Sequence, residues 1–152
     1  MRPIGRLAML LIFCCAAIPS HAASSDEAPS EQQAIEALEM KADQAKPRDQ
    51  CFLYAEIVHR MTDLSLRQYA SGNFAKASAL LRQIQQTSHK IHLSLSQDDK
   101  RLKHAEILLS NTTFRLTELL RSSDYQDRPL IKQTISDVNQ AQNATLMQVF
   151  QK

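Results

Sequence analysis

Beyond residue 22 the chain contains one glycine, Gly72, and three prolines, Pro29, Pro47 and Pro129. Strands joined by tight turns depend on these two residue types, so their scarcity argues against a β-sandwich and against an α/β fold. Helices joined by short links need far fewer of them. The sequence therefore predicts an all-α protein.

The longest apolar pattern runs through residues 74–119 with the seven-residue spacing of a coiled coil. The repeat keeps its phase across its middle, so it fits either one long helix through residues 73–122 or two helices separated by a turn at 96–98. Weak helix formers occupy that stretch, and Ser96 with Asp99 resembles a capping box, so we predict the turn. The repeat positions are 74, 77, 81, 84, 88, 91, 95, 102, 105, 109, 112, 116 and 119.

Two further segments show helical spacing of apolar residues. One runs from Pro47 to Ser71, after which Gly72 supplies a left-handed C-terminal cap and Asn73 the next N-cap. The other segment begins at Pro129 and is predicted to form the last helix. The two apolar faces consist of Cys51, Tyr54, Ile57, Val58, Met61 and Leu64, and of Ile131, Ile135, Val138, either Ala141 or Gln142, Leu146 and Val149.

These patterns give four segments of similar length. Segments of about 22 to 25 residues make helices near 35 Å long, and short links place consecutive helices side by side. Residues 47–152 are therefore predicted to form an up-down-up-down four-helix bundle in which each helix packs antiparallel to its neighbours.

Residues 1–22 have the layout of a secretory signal peptide. Arg2 and Arg6 precede twelve apolar residues, from Leu7 to Ile18, and small residues follow at Ala22 and Ala23. A helix needs roughly 20 apolar residues to span a bilayer. We therefore expect cleavage after Ala22 or Ala23, export to the periplasm or the medium, and no membrane contact after cleavage.

Residues 23–46 are predicted to be a flexible leader followed by a short, loosely docked helix. Ser30 and Gln33 form a plausible capping box for that helix. Its apolar positions are few, namely Ile35, Leu38 and Ala42.

The charge balance argues against a nucleic acid partner. The chain has 18 Lys and Arg against 16 Asp and Glu, and loss of Arg2 and Arg6 with the signal peptide makes the two counts equal. Without a basic excess there is little to neutralise phosphates.

Cys51 is the only cysteine beyond residue 22, so no internal disulfide is expected. Two interpretations remain for it. It lies on an apolar stripe, which favours burial, but it also lies near a helix N-terminus and Arg48, which would lower its pKa and make it reactive.

Two stretches resemble known sequences. Residues 69–77, and in particular Gly72 to Ala77, resemble the turn between the two helices of a tetratricopeptide repeat, although no second copy follows at the ~34-residue period of such repeats. The segments CFLYAE at 51–56 and RLKHAE at 101–106 are similar to runs in exported all-α bacterial proteins of unknown function. This second resemblance covers most of the chain beyond residue 22 and implies no activity.

The chain contains no nucleophile elbow, phosphate-binding glycine loop, haem-attachment motif or zinc-protease motif. We therefore predict neither catalytic nor cofactor-binding residues, and no cofactor. The leading hypothesis is a non-enzymatic exported helical module that acts through protein contacts. Its partner would be another protein or, through the heptad seam, a second copy of itself.

The alternative hypothesis is a small periplasmic metal-binding bundle. If the chain reverses near Gly72 and near Gln97, then Cys51, His89, His92 and His104 fall in one layer at the end of the bundle away from Gly72. Cysteine and histidine together suit copper(I) or zinc. Histidines beside a heptad seam are more commonly solvated side chains, which weakens this alternative.

Overall fold

The structure is a computed structural model, and it describes residues 30–95 and 99–150. The predicted signal peptide at 1–22 lies outside these ranges, as do the leader at 23–29 and the predicted turn residues 96–98.

The described residues form five helices and no strands, which confirms the all-α bundle. Since α3 ends at Leu93 and α4 begins at Asp99, the predicted break is correct and the single long helix is wrong. None of the helices in the described ranges has the length and apolar character that a membrane crossing requires. The helices are α1 (Glu31–Gln44), α2 (Pro47–Ala70), α3 (Phe74–Leu93), α4 (Asp99–Ser122) and α5 (Arg128–Phe150).

Helices α2 to α5 alternate in direction and form the four-helix bundle. Helix α2 packs against α3 and α4, and α5 packs against the same two helices. Over the described residues no Cα atom of α3 lies within 8 Å of one in α4, and the same is true of α2 and α5. These two pairs therefore occupy the diagonals of the bundle.

The expectation that every helix packs antiparallel to its neighbours is wrong. Two of the four neighbouring pairs, α2 with α4 and α3 with α5, run parallel. Asp49 pairs with Arg101 at 3.3 Å, and Asp63 pairs with Arg115 at 2.9 Å, so residue numbers rise together along α2 and α4. The hydrogen bond from Gln85 to Thr134 joins α3 to α5. Helices α3 and α4, although consecutive in the chain, thus lie at diagonal corners of the bundle and not at adjacent ones.

The core follows the predicted heptad seam closely. Every seam position of α4 is buried: Leu102, Ala105, Leu109, Thr112, Leu116 and Leu119. Phe74 departs from the prediction, because it lies at the start of α3 and packs its exposed ring edge-on against Tyr69 at 4.9 Å. Leu146 also departs from it, being 39 % exposed, and the buried residue at that level of α5 is Thr145.

Buried hydroxyl groups are the main feature of the core that the apolar pattern misses. Thr62, Ser88, Thr134 and Thr145 are buried, and each donates a hydrogen bond to the carbonyl four residues earlier in its own helix. These bonds offset the cost of removing a hydroxyl from water.

The turn between α2 and α3 is a Schellman motif. Gly72 has a φ of +75°, its N–H donates to the carbonyl of Tyr69, and the N–H of Asn73 donates to that of Gln68. The left-handed cap at Gly72 is thus confirmed. Asn73 occupies the N-cap position of α3, but its side chain donates to the Gln68 side chain and leaves the helix uncapped.

Helix α1 folds back along α2, and the ion pair between Asp43 and Lys90 at 3.5 Å also joins it to α3. The capping box is present, with reciprocal hydrogen bonds between Ser30 and Gln33. Ile35 and Ala42 are buried against the bundle. At the far end of α1, the Tyr54 hydroxyl donates to Asp43 at 2.9 Å, and burial with this neighbouring carboxylate raises the pKa of Tyr54 to about 12.

Candidate functional site

The four residues of the metal hypothesis lie at similar heights in the bundle but on different sides of it. Cys51 is enclosed in the core. His104 lies on α4 with its ring edge-on to Phe52 of α2, at 6.3 Å between centroids. His89 and His92 lie on α3 beside Asp137 and Gln140 of α5.

Since α3 and α4 occupy a diagonal, the structure does not bring His104 together with His89 and His92. Within the described ranges, no group of three or more His, Cys, Asp or Glu residues is placed to hold a metal ion. The four residues lie at the predicted level along the bundle axis, but their side chains do not converge on one point as predicted.

Cys51 is a core residue, which answers the question left open between burial and reactivity. Its side chain is fully buried, and burial raises the pKa of the thiol from 9.0 to about 11, with a hydrogen bond to Thr145 opposing the shift in part. A thiol of this kind is protonated at neutral pH and is a poor nucleophile.

A cleft of about 480 Å³ with both polar and apolar lining lies between α2 and α4. We call it the α2/α4 cleft. Its apolar walls are Phe52, Ile107 and Leu108, and its polar groups are Glu56, His59, Arg60 and His104. Glu56 and Arg60 are one helical turn apart and pair with each other at 2.9 Å.

The imidazole of His59 has a defined orientation in this cleft. Its Nδ1 lies 3.2 Å from the Thr112 hydroxyl oxygen, and that hydroxyl donates its own proton to the carbonyl of Leu108 at 2.8 Å. Because the hydroxyl has no second proton, His59 is the donor to Thr112, and the proton is assigned to Nδ1 on this basis. In this tautomer Nε2 is the acceptor.

Beside the cleft, α4 carries two large apolar side chains on the face opposite the core. Ile107 is 53 % exposed and Phe114 is 66 % exposed. They are seven residues apart, so they lie on the same stripe of the helix about 10 Å from each other. We call this pair the α4 ridge, and Ile107 belongs to both the ridge and the wall of the cleft.

The sequence interpretation missed both the cleft and the ridge. One signal was available, because Ile107 and Phe114 repeat at seven residues while lying off the seam that contains Leu109 and Leu116. The cleft had no comparable signal, since Phe52 and Leu108 lie on separate helices, and the spacing within either helix does not show that the two are neighbours.

Comparison of the chain with protein-family models, with curated proteins and with solved structures found no match in any of the three.

Proposed function

We propose that this chain is an exported helical module that acts through protein contacts and has a binding role, not a catalytic one. The observation that carries the proposal is the α4 ridge. Two bulky apolar side chains at a seven-residue repeat form a helix face suited to packing against another helix.

The surroundings of the ridge support the same role. The α2/α4 cleft adjoins it through Ile107, so apolar surface continues from the ridge into a concave region lined by Phe52 and Leu108. Interfaces commonly combine an apolar centre with a polar rim. Here the rim consists of the Glu56–Arg60 pair with His59 and His104.

The test places a photoreactive benzophenone amino acid at position 114 in the exported protein and irradiates intact cells. A protein contact at the ridge gives discrete cross-linked species, whether the partner is another protein or a second copy. The matched control is position 86, where Gln86 is also exposed but lies on α3, diagonal to α4. Absence of adducts at 114, or the same adducts at both positions, would overturn the proposal.

A further inference from the structure

The α2/α4 cleft is large enough to hold the ring of Phe114, but the two cannot meet within one molecule. Phe114 projects from the face of α4 opposite the core, whereas the cleft opens two turns earlier on the same helix, beside Ile107. The cleft volume of about 480 Å³ exceeds that of a phenyl ring.

We propose that two copies of this chain associate through an antiparallel pair of α4 helices, with Phe114 of each copy inserted at the mouth of the other copy's α2/α4 cleft. The inference rests on the proposed function, since it names the partner at the same surface. A two-fold axis that passes between Ser110 and Asn111 sets Ile107 of one copy opposite Phe114 of the other. Both insertions then form at once, as a closed two-fold interface requires.

One pair of opposite charges on the same face of α4 fits this register. With the axis between Ser110 and Asn111, Lys103 of one copy lies opposite Glu118 of the other, and this pair also occurs twice. Both side chains are exposed. Glu118 already pairs with Arg121 in its own helix, so Lys103 of the second copy would join an existing ion pair at the rim.

The residues at the axis allow close approach of the two helices. Ser110 and Asn111 are both exposed, and they separate Ile107 from Phe114. Small polar side chains at this position let the backbones come together while the larger residues on either side interlock. A bulky charged residue there would hold the helices apart.

The register predicts a specific cross-link. Ser110→Cys places a thiol beside the axis in each copy, so a short bismaleimide should link the protein to itself. The control is Gln86→Cys on α3, which is equally solvent-accessible and should give little dimer. The native Cys51 is buried and does not compete for the reagent.

Sedimentation velocity of the unmodified, signal-free protein supplies the second measurement. Phe114→Ser should raise the dimer dissociation constant about tenfold or more, because the aromatic anchor is lost twice per dimer. Met147→Ser is the matched control, since Met147 is 62 % exposed but lies on α5. Lys103→Glu and Glu118→Lys should each weaken the dimer, and the double exchange should restore it.

Each outcome decides the proposal. A monomeric mass up to about 1 mM, the weak end of specific association, would overturn it. A dimer that Phe114→Ser leaves intact, or equal cross-linking at positions 110 and 86, would also overturn it. If the benzophenone at position 114 captures only a different protein, then the self-pairing is wrong while the proposed function stands.

Discussion

The reactivity of the Cys51 thiol is a quantitative test of core packing. It reports on the end of the bundle where α2 begins. Helix N-termini and nearby arginines lower thiol pKa values, whereas burial raises them. In this structure burial dominates, and the pKa rises from 9.0 to about 11. The difference of about 2 pKa units makes the thiolate roughly 100-fold rarer near pH 8 than in an unfolded chain.

The assay is the rate of alkylation by iodoacetamide at pH 8, compared between the native protein and the protein unfolded in urea. We expect native Cys51 to react at least ~100-fold more slowly, because only the thiolate attacks and burial restricts access further. Ser71→Cys adds an exposed thiol to the same molecule and should react fast, which shows that the reagent is active. A native rate within about tenfold of the unfolded rate would refute the burial and the packing inferred from it.

The same shift predicts how stability depends on pH. A group whose folded pKa lies above its unfolded pKa contributes stability that is complete below the unfolded value and is lost as the pH rises through the folded value. For Cys51 that window runs from pH 9.0 to about pH 11, and the loss is about 3 kcal/mol at most. Urea titrations from pH 8 to pH 11 measure it, and Cys51→Ala should flatten the curve. An equally steep decline in that variant would exclude Cys51 as its source.

Three further predictions test other parts of the chain. Gly72→Ala should cost about 1 kcal/mol in urea unfolding, since φ is +75° and no heavy atom lies within 4 Å of the added Cβ, and Gly72→Asn should cost less. Tyr69→Phe should cost about 1 kcal/mol, because the Tyr69 hydroxyl donates to Asp127 at 2.9 Å; the exposed Tyr125→Phe is its control, and equal effects would contradict the assignment. Mass spectrometry of the exported protein should find an N-terminus at Ala23 or Ser24, and an intact Met1 would contradict the signal peptide.

The helices and their buried faces could be predicted because each depends on local spacing. The seam of α4 is buried at every predicted position, from Leu102 to Leu119, since a seven-residue repeat places those side chains on one face whatever lies opposite. The same reasoning located the cap at Gly72, where a left-handed residue ends α2. The one polar position of the α4 seam, Thr112, is buried as well, and it holds His59 in place.

The order of the helices could not be predicted in the same way. Reflecting the chain about each turn predicts how far along the bundle axis a residue lies. It placed His92 and His104 near the level of Cys51. It does not give the corner that each helix occupies. In this bundle α3 and α4 occupy diagonal corners, which separates the histidines that adjacent corners would bring together.

The diagonal placement of α3 and α4 also explains why the cleft lies between α2 and α4. It makes α2 and α4 parallel neighbours, and ion pairs then form two heptads apart, between Asp49 and Arg101 and between Asp63 and Arg115. Between these pairs, Leu108 lines the cleft together with the partly buried Glu56 and His59. If α4 lay beside α3 instead, different residues would face it at that level. The cleft and the α4 ridge beside it are thus consequences of helix order, and any change that lets α4 pack against α3 should remove the cleft while leaving the heptad core intact.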